Sequence, residues 1–330
     1  MTGGMRIVSL TGATLAGEPL ALSCAPCEEL RPWFNWFTIA EAEIAEGHRI
    51  DCGRAIEHPS IIFLFHDPWI AGTADGDMVL DPGETGKAYY FGPQTRRMPL
   101  SIAGRYVVVS LWLNAGAAAL LGLPCPTQTL DRIVDLEGHL GTDEPLTTIF
   151  PVEKDAKLWQ AALEEQFLRP LTGDATAEAP SPLVCDFENA CLAEPHITVE
   201  EFAARQGVSK RTVERAIKKA FGITPKQALR RGRALDMAAA LLGVTRPEDA
   251  PEMEDRYFDQ SHRAKELKAV FGVSPGQLQG AHHPILQLSL EVRQQRRLDA
   301  LELLAPDAER PLRDPKSEPR GGAFDEVRPR

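Results

Sequence analysis

Tyr257, Phe258, Asp259, Gln260, Ser261 and His262 run consecutively, and the last four include the carboxylate, hydroxyl and imidazole of a nucleophilic triad. Adjacency argues against that chemistry. In a triad the base must reach both the nucleophile and the orienting carboxylate, and three residues in the first turn of one helix splay apart instead. Asp259 reads as a helix cap, with Ser261 and His262 turned outward. Other enzyme signals fail on single residues. The stretch from Asp81 to Lys87 approximates a phosphate loop, but Asp81 replaces the first glycine and Ala88 the magnesium-holding hydroxyl. Neither a G-x-S-x-G elbow nor an H-E-x-x-H pair occurs. Six cysteines, at 24, 27, 52, 125, 185 and 191, are too sparse for a disulfide scaffold. Cys24 and Cys27 have zinc spacing, whereas Cys185 and Cys191 do not supply the second half. His58 and His66, expected on adjacent strands, lack a clear carboxylate partner. No catalytic residue, metal or cofactor is expected.

A different chemistry stands out between Arg205 and Arg233. Ten cations (Arg205, Lys210, Arg211, Arg215, Lys218, Lys219, Lys226, Arg230, Arg231 and Arg233) face Glu214 alone, a local charge of +9 in a chain of net charge -11. The remainder therefore carries -20 (-11 - 9). A basic island in an acidic protein is an electrostatic footprint for phosphates, and the acidic remainder disfavours nucleic acid elsewhere. Thr198 and Glu201 have capping-box spacing, which predicts a helix running to Gln206 with Val199, Phe202 and Ala203 inward. Gly207 permits a sharp turn, Val208 fills the gap between helices, and Ser209 caps the next helix. That second helix buries Val213, Ala216, Ile217 and Phe221 and exposes Lys210, Arg211, Glu214, Arg215, Lys218 and Lys219. The result is a helix-turn-helix whose second helix can enter the major groove of double-stranded DNA. Arg211, Glu214 and Arg215 are the candidates for base edges, because arginine bonds guanine bidentately and glutamate accepts from cytosine N4. Lys210, Lys218 and Lys219 suit phosphates.

The elements that must hold this helix divide the 330 residues into more than one unit. Up to about residue 115 the pattern favours strands, as in 60–65 and 104–113, separated by turns such as 81–86. Helical spacing follows at 115–122 and at 155–171, where Leu158, Ala161, Ala162, Phe167 and Leu168 share a face. From Ile197 the period is helical, with stops at Gly207, Gly222, Gly243 and Gly272. The expected class is α+β. It comprises a β-rich sensor or dimerisation domain with trailing helices (1–175), a linker (176–192), an all-α DNA-binding domain (193–282), a last helix (283–304) and a disordered tail (305–330). No apolar run approaches the ~20 residues needed to cross a bilayer, and the first residues do not fit a secretory signal. A cytoplasmic, nucleoid-associated protein is expected.

Residues 197–242, followed by 257–278, resemble the DNA-binding domain of AraC/XylS-type transcription regulators. The resemblance implies two helix-turn-helix units joined by a long helix, here about Pro225 to Leu242. Phe271-Gly272-Val273-Ser274-Pro275 keeps the ending of the family's second recognition helix, and Phe221-Gly222-Ile223-Thr224-Pro225 repeats it in the first unit. By this likeness Ser261, His262 and Lys265 face DNA from the second unit. Residues 30–37, 91–113, 115–124 and 130–140 resemble, more weakly, the cupin-like sensor domains that precede this module. They imply a small-molecule effector, with Trp36, Gln94, Arg96 and Trp112 as the ligand-binding candidates, a homodimer, and RNA polymerase as a further partner. Gln94, Thr95 and Arg96 could equally tie down a turn.

The chain departs from the pattern between residues 246 and 259, where six acids stand against two arginines, a net -4. Pro251 falls where a helix interior is needed, which costs roughly 3 kcal/mol. Arg263 replaces an aromatic residue of the family. The first unit is therefore expected to dominate DNA contact. The alternative is a ligand-binding or protein-interaction protein with a degenerate second unit.

Overall fold

A computed structural model describes residues 6–8, 21–151, 156–172, 179–194, 196–244, 260–281 and 283–304. The N-terminal part is built from two antiparallel sheets. The larger has the order β1 (Arg6–Val8), β2 (Leu22–Cys24), β3 (Phe34–Glu43), β10 (Arg105–Leu113), β5 (Ser60–His66), β8 (Lys87–Phe91) and β11 (Ile133–Asp135). The smaller has the order β4 (Ile50–Arg54), β9 (Met98–Ile102), β6 (Trp69–Thr73) and β7 (Gly76–Leu80).

β10 explains the layering. It lies between β3 and β5, and from Tyr106 to Leu113 every residue is buried. Such a run arises when both faces of a strand are covered. With a side-chain period of two, Val107, Val109, Leu111 and Leu113 face a helical layer that includes Trp159 and Leu163 of α3 (Ala156–Thr172). Tyr106 and Val108 face the smaller sheet. There Trp69 and Tyr106 meet edge to face, with centroids 5.3 Å apart. The short helices α1 (Ala117–Leu120) and α2 (Leu136–Leu140) complete this part.

The rest is helical: α4 (Pro182–Ala193), α5 (Val199–Arg205), α6 (Lys210–Phe221), α7 (Pro225–Leu241), α8 (Gln260–Phe271), α9 (Pro275–Gln279) and α10 (Pro284–Leu304). The architecture is α+β. Most of the linker expected at 176–192 is helix instead: Pro182 opens α4, where its missing N–H is harmless, and Phe187, Ala190 and Cys191 are buried against the helix-turn-helix. Residues 245–259, which include Pro251, the acidic stretch and Asp259, lie outside the described residues, as does the tail 305–330.

α10 occupies the junction of the two halves. Leu288 joins the core between the sheets, and Val292 packs with Ile56, Trp36 and Trp112 at the end of the sandwich. Leu286 and Leu290 face the other way, onto Leu235, Ala238, Leu267 and Phe271 of α7 and α8. Positions 288 and 292 and positions 286 and 290 form two stripes at i, i+4 spacing, so one helix serves two cores. Among the described residues no helix is long and apolar enough to cross a membrane.

Candidate nucleic-acid interface

The basic helix is held by local chemistry. The Thr198 hydroxyl accepts from the Glu201 amide at 3.1 Å while the Glu201 carboxylate accepts from the Thr198 amide at 2.9 Å, forming the capping box that opens α5. Gly207 turns the chain at φ +64°, a conformation that glycine adopts without strain. Ser209 then caps α6 by accepting from the Thr212 amide at 3.1 Å. Val213, Ile217, Ala220 and Phe221 form its buried stripe. Phe187 of α4 meets Phe202 and Phe221 edge to face, at 5.0 and 5.7 Å, and so fixes the helix pair on its support. Gly222 ends α6 in the left-handed conformation at φ +75°. A side chain there would fall 2.7 Å from the Pro126 carbonyl, so a loop of the β-rich part lies against the end of the helix.

The outward face of α6 carries Lys210, Arg211, Glu214, Arg215, Lys218 and Lys219, all exposed. The ten cations counted along the sequence separate in space. Lys210 bonds Glu200 at 2.6 Å, which holds the lysine's pKa up and the glutamate's down, and it lies 4.0 Å from Glu214. Arg205 pairs with Glu194 at 2.6 Å. Arg230 and Arg233 both reach Glu266 of α8 at 3.2 Å, and Arg231 is buried. Among the described residues no ion pair is recorded for Arg211, Arg215, Lys218 or Lys219. With Lys226 at the start of α7 also exposed and unpaired, four of the five free cations of this segment share one helix face.

The second unit presents less. Ser274 and Gln277 form a capping box at α9, repeating that of Thr224 and Gln227 at α7. Lys265 is exposed on α8, but the next residue, Glu266, is 3% exposed beneath its two arginines. Ser261 and His262 fall in the first turn of α8, and their side chains lie outside the described set. The Val270 carbonyl accepts from the Arg97 amide at 2.6 Å, so a turn of the β-rich part holds the end of α8 as well. That turn is fixed by Asp131, itself left-handed at φ +54°, whose carboxylate accepts from the Thr95 amide at 2.8 Å and from the Thr95 hydroxyl.

The four ligand candidates do not share one cavity. Gln94 is buried, accepts from the Ile56 amide at 2.8 Å, and lends its backbone carbonyl to Arg231 at 2.7 Å, whereas Arg96 is exposed. Trp36 and Trp112 are cross-strand partners beneath Val292. Of the four, only Trp36 lines the cavity of about 600 Å³ that opens between the β-rich part, α4 and α10, together with Phe34, Asn35, Glu188, Leu192 and Arg296. His58 and His66 are not on adjacent strands. His66 ends β5 while His58 precedes its start, a separation of roughly 26 Å along an extended chain. Among the described residues no three His, Cys, Asp or Glu side chains are grouped to hold a metal ion.

Sequence reasoning missed a set of buried charges around α10. Arg293 pairs with Glu57 at 2.9 Å and with Asp236, and Arg297 lies 3.8 Å from Asp236. Arg296 pairs with Glu188, whose other oxygen accepts from the Ala115 amide at 2.9 Å. His58 sits 3.2 Å from Glu188. Burial, reinforced by Arg296, Arg231 and Arg293, pushes the His58 pKa well below its usual value. Burial would also weaken the charge on Arg293, but Asp236 and Glu57 outweigh it and raise its pKa. Nothing in a periodic helical pattern distinguishes such charges from a solvated face.

No family model and no curated protein matches the chain. Among solved structures, ToxT from Vibrio cholerae O395 is similar over 74% of this chain and 97% of its own, at 6% identity and TM-score 0.42. An unsaturated fatty acid bound wild-type ToxT from Vibrio cholerae strain SCE256 is similar over 73% and 94%, at 7% identity and TM-score 0.41. The AraC-like transcriptional activator CuxR is similar over 81% and 87%, at 11% identity and TM-score 0.23. Likeness this distant assigns no function.

Proposed function

We propose that this chain is a sequence-specific regulator of transcription that binds double-stranded DNA, with α6 as its dominant reading element. One observation carries the proposal: a capped, glycine-turned helix pair presents Arg211, Arg215, Lys218 and Lys219 outward, while of the neighbouring cations of the same segment Arg205, Arg230 and Arg233 are paired with carboxylates, Arg231 is buried and Lys226 alone stays exposed and unpaired beside them on α7. Arg211, Glu214 and Arg215 read base edges from the front of α6. Lys210, Lys218 and Lys219 neutralise phosphates behind them, with Lys210 exchanging Glu200 for the nucleic acid. Lys265, Ser261 and His262 contribute secondary contacts from α8. The domain of residues 1–175 acts as the sensor, and the cavity lined by Trp36 is its place for a small-molecule effector. A homodimer and contact with RNA polymerase complete the reading, neither step involving catalysis.

The test is a mobility-shift titration at fixed salt on DNA from the chain's own upstream region, guided by footprinting. Arg215→Ala should abolish specific retention, a loss of about 1–3 kcal/mol for a bidentate base contact. Lys265→Ala should only weaken it. Equal losses would overturn the dominance of α6, and the absence of any salt-sensitive protected site would favour the alternative of a protein-interaction module.

A further inference from the structure

α10 has the burial of a core helix and the composition of a surface one. Glu291, Arg293, Gln294 and Arg297 are each less than 10% exposed, on the helix that also supplies Leu288 and Val292 to the sandwich and Leu286 and Leu290 to α7 and α8. The charges at this junction balance: Arg231, Arg293, Arg296 and Arg297 against Glu57, Glu188, Asp236 and Glu291. They also come from different parts. Glu57 belongs to the β-rich part, Glu188 to α4, Arg231 and Asp236 to α7, and the others to α10.

Such an interface differs from an apolar one in how it opens. Buried ion pairs contribute little net stability, because the charges regain hydration when they part, yet they fix register because a mismatched partner leaves a charge buried alone. An apolar junction of the same extent would expose oil to water on opening. The contacts that restrain the DNA-facing elements converge on this place. Arg231 bonds the Gln94 carbonyl at 2.7 Å, the adjoining turn holds Val270 of α8 through Arg97, and His58 lies 5.8 Å from the ring of Phe221 of α6.

From this arrangement we infer that α10 is a releasable latch, an internal stopper that closes the end of the sandwich and ties α7 and α8 to it, and whose departure loosens α7 and α8 against the β-rich part. Release leaves the sheets intact, since β10 is bonded on both sides by β3 and β5 without help from α10.

The latch is tested on the full chain by amide hydrogen exchange without DNA, so that its outcome is separate from that of the DNA-binding reading. In the wild type, amides of 285–297 should exchange together, at least about tenfold faster than those of 106–112, because a local opening lies below global unfolding. Arg293→Met, which leaves Glu57 and Asp236 without their shared cation, should speed exchange in 285–297 and in 264–271 by a further tenfold or more while leaving 106–112 unchanged. If that variant does not fold, Glu57→Gln, which keeps the shape and removes one charge, should produce the same regional effect more weakly. Exchange of 285–297 at the rate of 106–112 in the wild type, or uniform acceleration across all three regions in the variant that folds, would overturn the latch.

Discussion

α6 and α8 end in the same way and face outward differently. Both stop at a phenylalanine and a left-handed glycine, Phe221-Gly222 and Phe271-Gly272, and each is followed by a capping box with proline at its first helical position. On α6 the apolar stripe and the basic face are cleanly separated. On α8 an acid, Glu266, takes a buried place and pairs with Arg230 and Arg233 of α7, neutralising cations that the sequence alone would assign to DNA. A shared frame therefore specifies where a recognition helix sits, and only the side chains between its caps specify whether it attracts phosphate.

The comparison can be broken at several levels. The largest effect is expected from the frame itself. Ile217→Ala removes a fully buried side chain from α6 and should destabilise the protein by about 2–5 kcal/mol in urea unfolding, while Lys218→Ala on the opposite face should leave the midpoint within about 0.5 kcal/mol. An equal response would mean that α6 does not separate support from recognition. A smaller effect concerns phosphate. The double change Lys218→Ala and Lys219→Ala should lower the slope of log affinity against log salt by about 2, and Lys265→Ala with Lys268→Ala by less, since α8 carries Glu266 among them. Equal slope changes would place both helices on the backbone alike. The smallest concerns caps. Ser209→Ala should cost about 1 kcal/mol and weaken DNA binding with it, whereas Ser274→Ala, which uncaps only the short α9, should cost a similar amount without changing affinity.

What was legible in the sequence was local. Thr198 with Glu201, Gly207, Ser209 and the proline at 225 each act on backbone within about four residues of themselves, so the limits of α5, α6 and the start of α7 follow from spacing. The run of residues 104–113 marked β10 for the same reason. What was not legible depends on partners far away in the chain. Arg231 counts as a surface cation until Gln94, 137 residues earlier, is seen to accept from it. His58 and His66 look like neighbours on two strands until β5 is seen to end at His66 and to begin only after His58. α10 reads as an ordinary helix with a solvated face, because the carboxylates that receive its arginines come from residues 57, 188 and 236. Trp36 and Trp112 stood out as ligand candidates, but neither their pairing across two strands nor the helix that covers them was legible.

The bond between Arg293 and Glu57 spans 236 residues. Synthesis runs from one end of the chain to the other, and early segments fold while later ones are still being made. Both sheets and the first helix-turn-helix are therefore complete on the ribosome well before α10 emerges. During that interval the end of the sandwich, with Trp36 and Trp112, lacks its cover, and Glu57 and Asp236 wait for their cation. The nascent protein thus holds a half-built interior until α10 emerges, and the end of the sandwich is sealed by a segment made after both of the parts it bridges.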